Sequence, residues 1–407
     1  MINIKDKHKC CGCNACANIC PKQSIQMFED EKGFLYPKVV LDTCIDCGLC
    51  EKVCPCIHQD NPHKTLSVYA AINSNEKIRN ESSSGGLFSM IAEKIILEGG
   101  VVFGARFDDK WEVKHDCVET ISELRYFRSS KYVQSRIEDT YKKALNYLKE
   151  GRKVLFSGTS CQISGLKHYL RKDYDNLLAV EVVCHGVPSP LVWRNYLKQI
   201  LRPKGVDGKN TVLCSLKETP VLTGISFREK SNGWKKYGFV ILGKSAAKAD
   251  KNSVLSSVRN SNIVLFQQPK SDNYYMQVFL HDLDLRPSCY DCPAKKGKSQ
   301  SDIALADFWC IGDIHPTLDD DRGISAVLIN SSKGKDFMSH LDVELYEQEY
   351  MDFIKGNPAY VRSAKESLYS RVFWFFNKYS LYNAITMLIL AKRVIDKIRK
   401  IIKYRSV

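Results

Sequence analysis

Beyond residue 66 the chain alternates short apolar runs with stretches whose apolar residues recur every three or four positions. Residues 67–72 read as a strand. Residues 87–97 read as a helix, because Leu87, Met90, Ile91 and Ile95 share one face. That helix opens on Ser82-Ser83-Ser84-Gly85-Gly86 and stops at Gly99-Gly100, residue types that start and end helices. A strand is expected at 101–107 and a helical stretch at 122–148, clearest at 137–148. Residues 153–157, with Val154-Leu155-Phe156, read as a buried strand. The chain then passes through Gly158-Thr159-Ser160-Cys161-Gln162 into a helix at 163–170. A strand at 177–183 runs into Cys184-His185-Gly186-Val187-Pro188, with a helix at 191–201 after it. This alternation predicts an α/β domain whose function sits at the C-terminal ends of the strands.

The pattern weakens further on. Residues 224–228 and 237–242 read as strands of an insertion, 244–257 as a loop or solvated helix, and 274–285 as a helix. Strands are expected at 302–308 and 326–329. In the tail, 381–404, Ile385, Leu388, Ala391, Val394, Ile395, Ile398 and Ile402 repeat at helical spacing. Opposite them stand Lys392, Arg393, Lys397, Arg399, Lys400, Lys403 and Arg405. Such a helix lies either on an anionic membrane surface or on its own domain, since both present the same pattern. No run reaches the roughly 18 apolar residues that a membrane span needs.

The first 60 residues follow a different logic. Cys10, Cys13, Cys16 and Cys20-Pro21 read C-x2-C-x2-C-x3-C-P, and so do Cys44, Cys47, Cys50 and Cys54-Pro55. This is the ligand run of bacterial ferredoxins with two 4Fe-4S clusters. Three thiolates on one tight turn reach three corners of a cube, and the Cys before Pro serves the other cluster. One cluster is thus expected on Cys10, Cys13, Cys16 and Cys54, the other on Cys44, Cys47, Cys50 and Cys20. Zinc sites use well-separated CxxC pairs, and a disulfide framework needs a secretory route for which no signal peptide is seen. Cys11 and Cys56 are out of register and are not expected as ligands. Phe34, Leu35 and Tyr36 offer a small strand and core between the runs.

Length and charge bound the rest. A chain of 407 residues suggests two or three domains: 1–60, 66–331 and 332–407. Its 17 cysteines point to a reducing cytoplasm and to metal. The expected place is the cytoplasm, with peripheral contact at the inner membrane face through the tail. The net charge of +14 would attract an acidic substrate, an acidic redox protein or an anionic surface. No basic motif with stacking aromatics is present, so no nucleic-acid partner is expected.

Two features carry further chemistry. The Ser/Gly turn before residue 87 leaves backbone N–H groups at a helix start, which suits a phosphate, although many plain helices begin alike. Cys161 sits at a strand-to-helix turn, where the helix start favours a thiolate. Cys184 follows a strand, and Cys289 and Cys292 form a CxxC. Four such cysteines can hold a third 4Fe-4S cluster or a zinc ion.

From about residue 67 to 331 the chain resembles the coenzyme F-420 (deazaflavin) hydrogenase/dehydrogenase beta subunit family. The resemblance rests on Ser84-Gly85-Gly86, Ser130-Lys131-Tyr132, and Gly158-Thr159-Ser160-Cys161-Gln162-Ile163-Ser164-Gly165. It also rests on Cys184-His185-Gly186-Val187-Pro188-Ser189, Cys289-Tyr290-Asp291-Cys292 and Ala304-Leu305-Ala306-Asp307-Phe308-Trp309. It implies one FAD and one 4Fe-4S cluster in this domain, with Cys161, Cys184, Cys289 and Cys292 as ligands. Ser84, Gly85, Gly86, Lys131, Tyr132, Thr159 and Ser160 would bind the flavin. The expected fold is then α+β to α/β: a bacterial ferredoxin-like module, a mixed α/β flavin and iron–sulfur domain, and a C-terminal helical tail. The expected function is an iron–sulfur flavoprotein oxidoreductase between a redox partner protein, ferredoxin or an oxidoreductase subunit, and a small-molecule acceptor. Members in surface-polysaccharide gene clusters add that metabolism to the expectations. The alternative is a non-catalytic electron-transfer subunit. His185, beside a ligand candidate, is a candidate proton donor or simply a local hydrogen-bonding group. Cys310 stands where the family commonly has Gly, as a stray thiol or a substitute ligand.

Overall fold

The computed structural model describes residues 1–201, 221–244, 262–377 and 387. Apart from Lys244 and Met387, the expectations at 244–257 and at the basic tail fall outside these residues. The chain divides into two compact units. The first comprises residues 1–190, 226–237 and 286–364; the second comprises 191–225, 238–285 and 365–407. Among the described residues no helix is long and apolar enough to cross a membrane.

The first unit begins with a small module: α1 (Ala15–Ile19), β1 (Ile25–Glu29), β2 (Leu35–Val39) and α2 (Leu49–Lys52). β1 and β2 pair antiparallel from Ile25 opposite Val39 to Glu29 opposite Leu35. Phe34, fully buried, fills the core beneath them. The duplicated Cys runs share one backbone conformation. Gly12 and Asn14 are left-handed in the first run (φ 71° and 66°), and Asp46 and Gly48 in the second (φ 47° and 70°). Left-handed residues in a tight turn aim successive N–H groups at one point and make an anion-binding nest.

The body of the unit is an eight-stranded sheet. Its strands are β3 (Ser67–Ala71), β4 (Val101–Phe107), β5 (Val113–Val118), β6 (Val154–Thr159) and β7 (Leu177–Val182). After β8 (Val221–Glu229), β9 (Gly238–Lys244) and β10 (Ile263–Pro269), which form a separate sheet, it adds β11 (Ile303–Asp307), β12 (Ser325–Ile329) and β13 (Leu345–Gln348). The order is β13-β3-β12-β11-β7-β6-β4-β5. The middle, β11-β7-β6-β4, is parallel, and both flanks are antiparallel. β13 lies beyond residue 331, so the sheet draws on the C-terminal part of the chain as well.

Helices cover both faces, as a parallel sheet requires. On one face α4 (Leu87–Leu97) buries Leu87, Ile91, Ala92 and Ile95. On the other, α5 (Thr140–Lys149) buries Tyr141, Ala144 and Leu148, and α6 (Ser160–Leu170) buries Ile163, Leu166, Tyr169 and Leu170. The Cys-rich module packs on this second face, with Cys11, Cys13, Ala15 and Val53 in the same apolar cluster. Gly165 of α6 makes the approach possible: a Cβ there would lie 2.7 Å from Cys13 Cβ and 2.9 Å from its sulfur. Asn14 and Asn18 fix the contact by donating to the Glu138 carbonyl at 2.7 Å each.

Two expectations need correction. The stretch 122–148 is not one helix. It holds a 3-10 turn, Ile121–Tyr126, then extended chain, then α5. Arg136 N donates to Val113 O, and His115 N to Arg136 O, so this segment's backbone pairs with β5 instead of closing helical turns. The helix expected at 274–285 ends at Leu280, because Asp282 adopts a left-handed conformation (φ 58°).

The second unit holds β9, β10 and the first part of β8, which form a three-stranded sheet in the order β10-β9-β8, with β10 and β9 antiparallel. Its core is aromatic. Trp193 and Tyr196 of α7 (Pro190–Ile200) pack against Phe239 and Tyr275, with ring centroids 5.1 Å apart for Trp193 and Tyr275. Asn273 caps the helix Tyr274–Leu280 and donates to the Tyr196 hydroxyl at 2.6 Å.

Candidate iron–sulfur and flavin sites

The structure brings the cysteines of the first unit into three groups. Cys20, Cys44, Cys47 and Cys50 line one cavity of about 360 Å³, with Ile45, Asp46 and Gly48 in its wall. Cys47 is exposed, so this group reaches the surface. Cys10, Cys13, Cys16 and Cys54 form the second group, all buried. Cys54 lies close enough to Cys10, Cys13 and Cys16 to oppose their ionisation. The membership of both groups is the crossed one read from the two Cys-Pro endings. Backbone N–H groups point at these sulfurs: Gly12 at Cys10, Ala15 at Cys13, Ala17 at Cys16, Cys56 and Ile57 at Cys54. Ser24 N donates to Cys20 and Ile2 N to Cys50, each at 3.3 Å. Such bonds stabilise sulfur-centred negative charge.

The third group is assembled from distant parts of the chain. Thr159 caps α6 through a capping box with Gln162, which fixes Cys161 in the first turn. Cys184 follows β7, and Cys289 and Cys292 sit on and just after the 3-10 turn Pro287–Asp291. All four line one cavity of about 380 Å³, together with Cys11, Thr159, His185 and Lys295. Burial pushes the Cys184 thiol up to about 12, against the pull of the Lys295 charge, and burial with nearby Cys161 does the same to Cys292. Cys289 is raised too, by burial and then by Cys184 and Cys292. Four partly buried thiols crowded together resist ionising, and need a multiply charged cation centre to become thiolates. That donor set fits an iron–sulfur cluster.

Sequence reasoning passes over Cys11, and the structure gives it a place. Its buried thiol lies beside Cys13 of the second group and in the wall of the cavity lined by the third. Cys56 lies beside both Cys11 and Cys54, and this crowding together with burial raises its thiol above the ordinary cysteine range. Cys310 stands apart from the cavity of the third group, and its thiol donates to Asp352 O at 3.0 Å.

The expected flavin residues fall into two sets. Ser84, Gly85, Gly86, Lys131 and Tyr132 come together at the start of α4. Ser83 Oγ donates to Ser130 Oγ at 2.9 Å, tying the two loops, and Ser84 Oγ donates to Ile324 O at 2.6 Å. Gly86 takes the helix N-cap with φ 86°. Lys131 Nζ donates to Arg128 O and Ser129 O, and burial with the nearby Arg106 charge lowers it to about 7. Arg228, which the sequence does not single out, joins this set. It donates to Tyr132 Oη at 3.1 Å, to Asp307 at 2.9 Å and to Ser83 O at 3.2 Å. Its guanidinium also stacks over Tyr237 and Trp309, and Trp309 stacks in parallel on Trp234 at 4.6 Å. Lys230 Nζ donates to the carbonyls of Arg79, Ser84 and Arg322 beside it. Thr159 and Ser160 belong elsewhere, in the wall of the third cysteine group. The Ser160 hydroxyl donates to the buried Glu181 carboxylate, which also accepts from Ser299 and Ser301.

Known proteins share parts of this chain. Residues 151–351 match the family described as the C terminus of the coenzyme F420 hydrogenase/dehydrogenase beta subunit, and residues 9–57 match a 4Fe-4S dicluster domain. A component of the F(420)H(2) dehydrogenase of Methanosarcina mazei is 21% identical over 162 residues, covering 38% of this chain and 46% of that protein. An uncharacterized protein of Methanocaldococcus jannaschii is 23% identical over 206 residues, covering 43% and 56%. An uncharacterized ferredoxin of the same organism is 38% identical over 52 residues, covering 13% and 66%. The chain thus spans about half the length of the first two relatives. A solved chain from the F420-reducing NiFe hydrogenase complex of Methanosarcina barkeri is 15% identical, with a TM-score of 0.41. That match covers 73% of this chain and 91% of the other.

Proposed function

We propose, for a chain whose residues 151–351 match the C-terminal region of the coenzyme F420 hydrogenase/dehydrogenase beta subunit family and whose residues 9–57 match a 4Fe-4S dicluster domain, an iron–sulfur flavoprotein oxidoreductase. It takes electrons from, or gives them to, a ferredoxin-type protein or a partner subunit, and acts on a small organic acceptor. The observation that carries this reading is the cavity walled by Cys161, Cys184, Cys289 and Cys292, which also includes Cys11 from the dicluster module. Iron–sulfur clusters held by the three cysteine groups supply one-electron transfer, and a bound flavin joins this to two-electron chemistry.

The chain's own residues have distinct tasks. Cys10, Cys13, Cys16 and Cys54 hold one cluster, Cys20, Cys44, Cys47 and Cys50 a second, and Cys161, Cys184, Cys289 and Cys292 a third. Lys295, beside Cys184, offsets part of the negative charge gathered there. At the start of α4, the Ser84-Gly85-Gly86 turn offers backbone donors to a phosphate. Arg228 and Lys230 add positive charge to that turn, and Trp309 offers an aromatic edge. Lys131 Nζ, lowered to about 7, can hold or release a proton at neutral pH.

A second reading, an electron-transfer subunit without substrate, is favoured by one feature: Lys131 Nζ and the Ser84 hydroxyl are already engaged with backbone carbonyls. Iron, acid-labile sulfide and extracted flavin per chain, on anaerobically purified protein, separate the readings. About twelve irons with one FAD is the expected result. About twelve irons without flavin would favour the subunit, and about eight irons would remove the third cluster.

A further inference from the structure

Arg286 is fully buried, and its backbone and side chain serve different cysteine groups. Its carbonyl accepts from Cys289 N at 2.8 Å, and its N–H donates to Val187 O at 3.0 Å. Val187 N in turn donates to Cys289 Sγ at 3.4 Å. The backbone of Arg286 is therefore part of the loop that shapes the third group. Its side chain crosses into the dicluster module. Nε donates to Cys10 O at 2.8 Å, Nη1 to Gln134 Oε1 at 2.9 Å, and Nη2 to Leu35 O at 2.9 Å. Nη2 also points at Cys10 Sγ from 3.6 Å. The plane of the guanidinium stacks on Tyr36, 4.3 Å from the ring centroid. Gln134 completes the link by donating from Nε2 to Cys11 O at 3.1 Å.

The charge balance is unusual. Two other arginines are as deeply buried, and each has a carboxylate: Arg79 pairs with Asp320 at 2.7 Å and Arg228 with Asp307 at 2.9 Å. Among the described residues no carboxylate pairs with Arg286. A buried cation without a counter-charge is strongly disfavoured. The groups that face its guanidinium are the Cys10 and Leu35 carbonyls, Cys10 Sγ, Gln134 Oε1 and the Tyr36 ring. Gly12 makes room for it, since a Cβ there would lie 2.8 Å from Nη1. The turn with the matching φ in the second run carries Asp46 at that position, so only one of the two repeats can receive such a group.

We propose that Arg286 is the counter-charge for the centre held by Cys10, Cys13, Cys16 and Cys54, and that it raises that centre's reduction potential above the one an uncharged residue would give. A cluster on four thiolates is anionic, and more so when reduced. A fixed cation and a hydrogen bond to sulfur both favour the reduced form. Arg286 also ties this group rigidly to the loop of the third group, which makes it a positioning residue between the two. The inference rests on the proposed cluster at Cys10, Cys13, Cys16 and Cys54, and not on the flavin or the third cluster.

The test uses the full chain, purified anaerobically, with EPR-monitored redox titration of the unmutated protein, Arg286→Gln and Arg286→Lys. Arg286→Gln is expected to shift one midpoint downward and leave the other clusters in place, and Arg286→Lys to shift it less. All midpoints unchanged in Arg286→Gln, at full iron content, would overturn the role. A second measurement needs no variant. Unmutated protein with nitrogen-15 in arginine alone, partly reduced, should show a weak nitrogen-15 coupling by pulsed EPR. Absence of that coupling from every cluster signal also overturns the proposal. Failure of the cluster reading would look different, as iron missing from the unmutated protein before any titration begins.

Discussion

Gly165 offers a direct test of how the dicluster module seats on the sheet domain. It lies inside α6, where Ala would ordinarily stabilise the helix by about 1 kcal/mol over Gly. Here the new Cβ would lie 2.7 Å from Cys13 Cβ, 2.9 Å from Cys13 Sγ and 3.0 Å from Tyr141 Oη. Ordinary contact begins at 3.4 Å, so something must retreat by about 0.7 Å (3.4 minus 2.7). None of the three neighbours gives easily. Cys13 is held in the ligand turn, and Tyr141 Oη, fully buried, donates to Gln162 O at 2.7 Å. Overpacking of this kind costs about 1–3 kcal/mol, and a strained hydrogen bond adds about 1 kcal/mol. The clash therefore outweighs the propensity gain, and Gly165→Ala is expected to be destabilised by about 1–3 kcal/mol. Gly165→Val should be worse and should lose iron, because the displaced atom belongs to a ligand. Anaerobic urea titration together with iron analysis reads both effects. A Gly165→Ala protein with a higher urea midpoint and unchanged iron would refute the close seating of the module.

Two further outcomes follow from buried charges and bases. His115 is buried between Ser135 Oγ (2.9 Å from Nδ1) and Ser157 O (3.0 Å from Nε2), and burial lowers it to about 4. Its unfolded value is 6.5, so below that pH the unfolded chain binds a proton that the folded chain refuses. Stability is lost as pH falls from about 6.5 to 4, by up to about 3 kcal/mol. His115→Gln should lose less than the unmutated protein between pH 7.5 and 5 by urea midpoint, and an equal loss in both would reject the assignment. Arg228→Gln would leave Asp307 without its cation, which costs about 3 kcal/mol or more for a buried pair. A lower melting temperature and loss of co-purified flavin are expected, and full flavin retention would exclude Arg228 from the flavin site.

What could be read in advance depended on whether a feature was local. The Cys-Pro endings at 20–21 and 54–55 led to two crossed sets of cysteines from spacing alone, and the structure brings Cys54 to Cys10, Cys13 and Cys16, and Cys20 to Cys44, Cys47 and Cys50. The helix Leu87–Leu97 and the strand Val101–Phe107 were equally legible, since each carries its own period and its own stop signals. β5 was not: Lys114, His115 and Asp116 hide an alternating strand behind polar residues whose burial depends on neighbouring elements. The stretch before α5 was misleading because its amides pair with β5, a choice made by tertiary contact and not by propensity. The four cysteines of the third group could be singled out one by one, but spacing could not join them, because they come from the first turn of α6, the end of β7 and the turn at 287–292. Arg286 and Arg228 left no trace in periodicity. Their roles come from what the fold packs against them, Cys10 in one case and Asp307 in the other.

The two halves of the dicluster module show how one turn can serve two ends of a path. The backbone is duplicated down to the left-handed positions, Gly12 and Asn14 against Asp46 and Gly48. Their surroundings differ in each respect that tunes a bound cluster: burial, local charge and access to solvent. The first turn is buried, with Arg286 over Gly12 and Cys11 in the wall of the third group's cavity. The second is open, with Cys47 exposed and Ile45 presenting its side chain to solvent beside it. Among the described residues the second turn is therefore the more open to a molecule approaching from solvent, while the first is enclosed. This asymmetry could not arise from the repeat itself. It comes from the sheet domain, which covers one copy with α6, through Gly165, and supplies Arg286 to that copy alone.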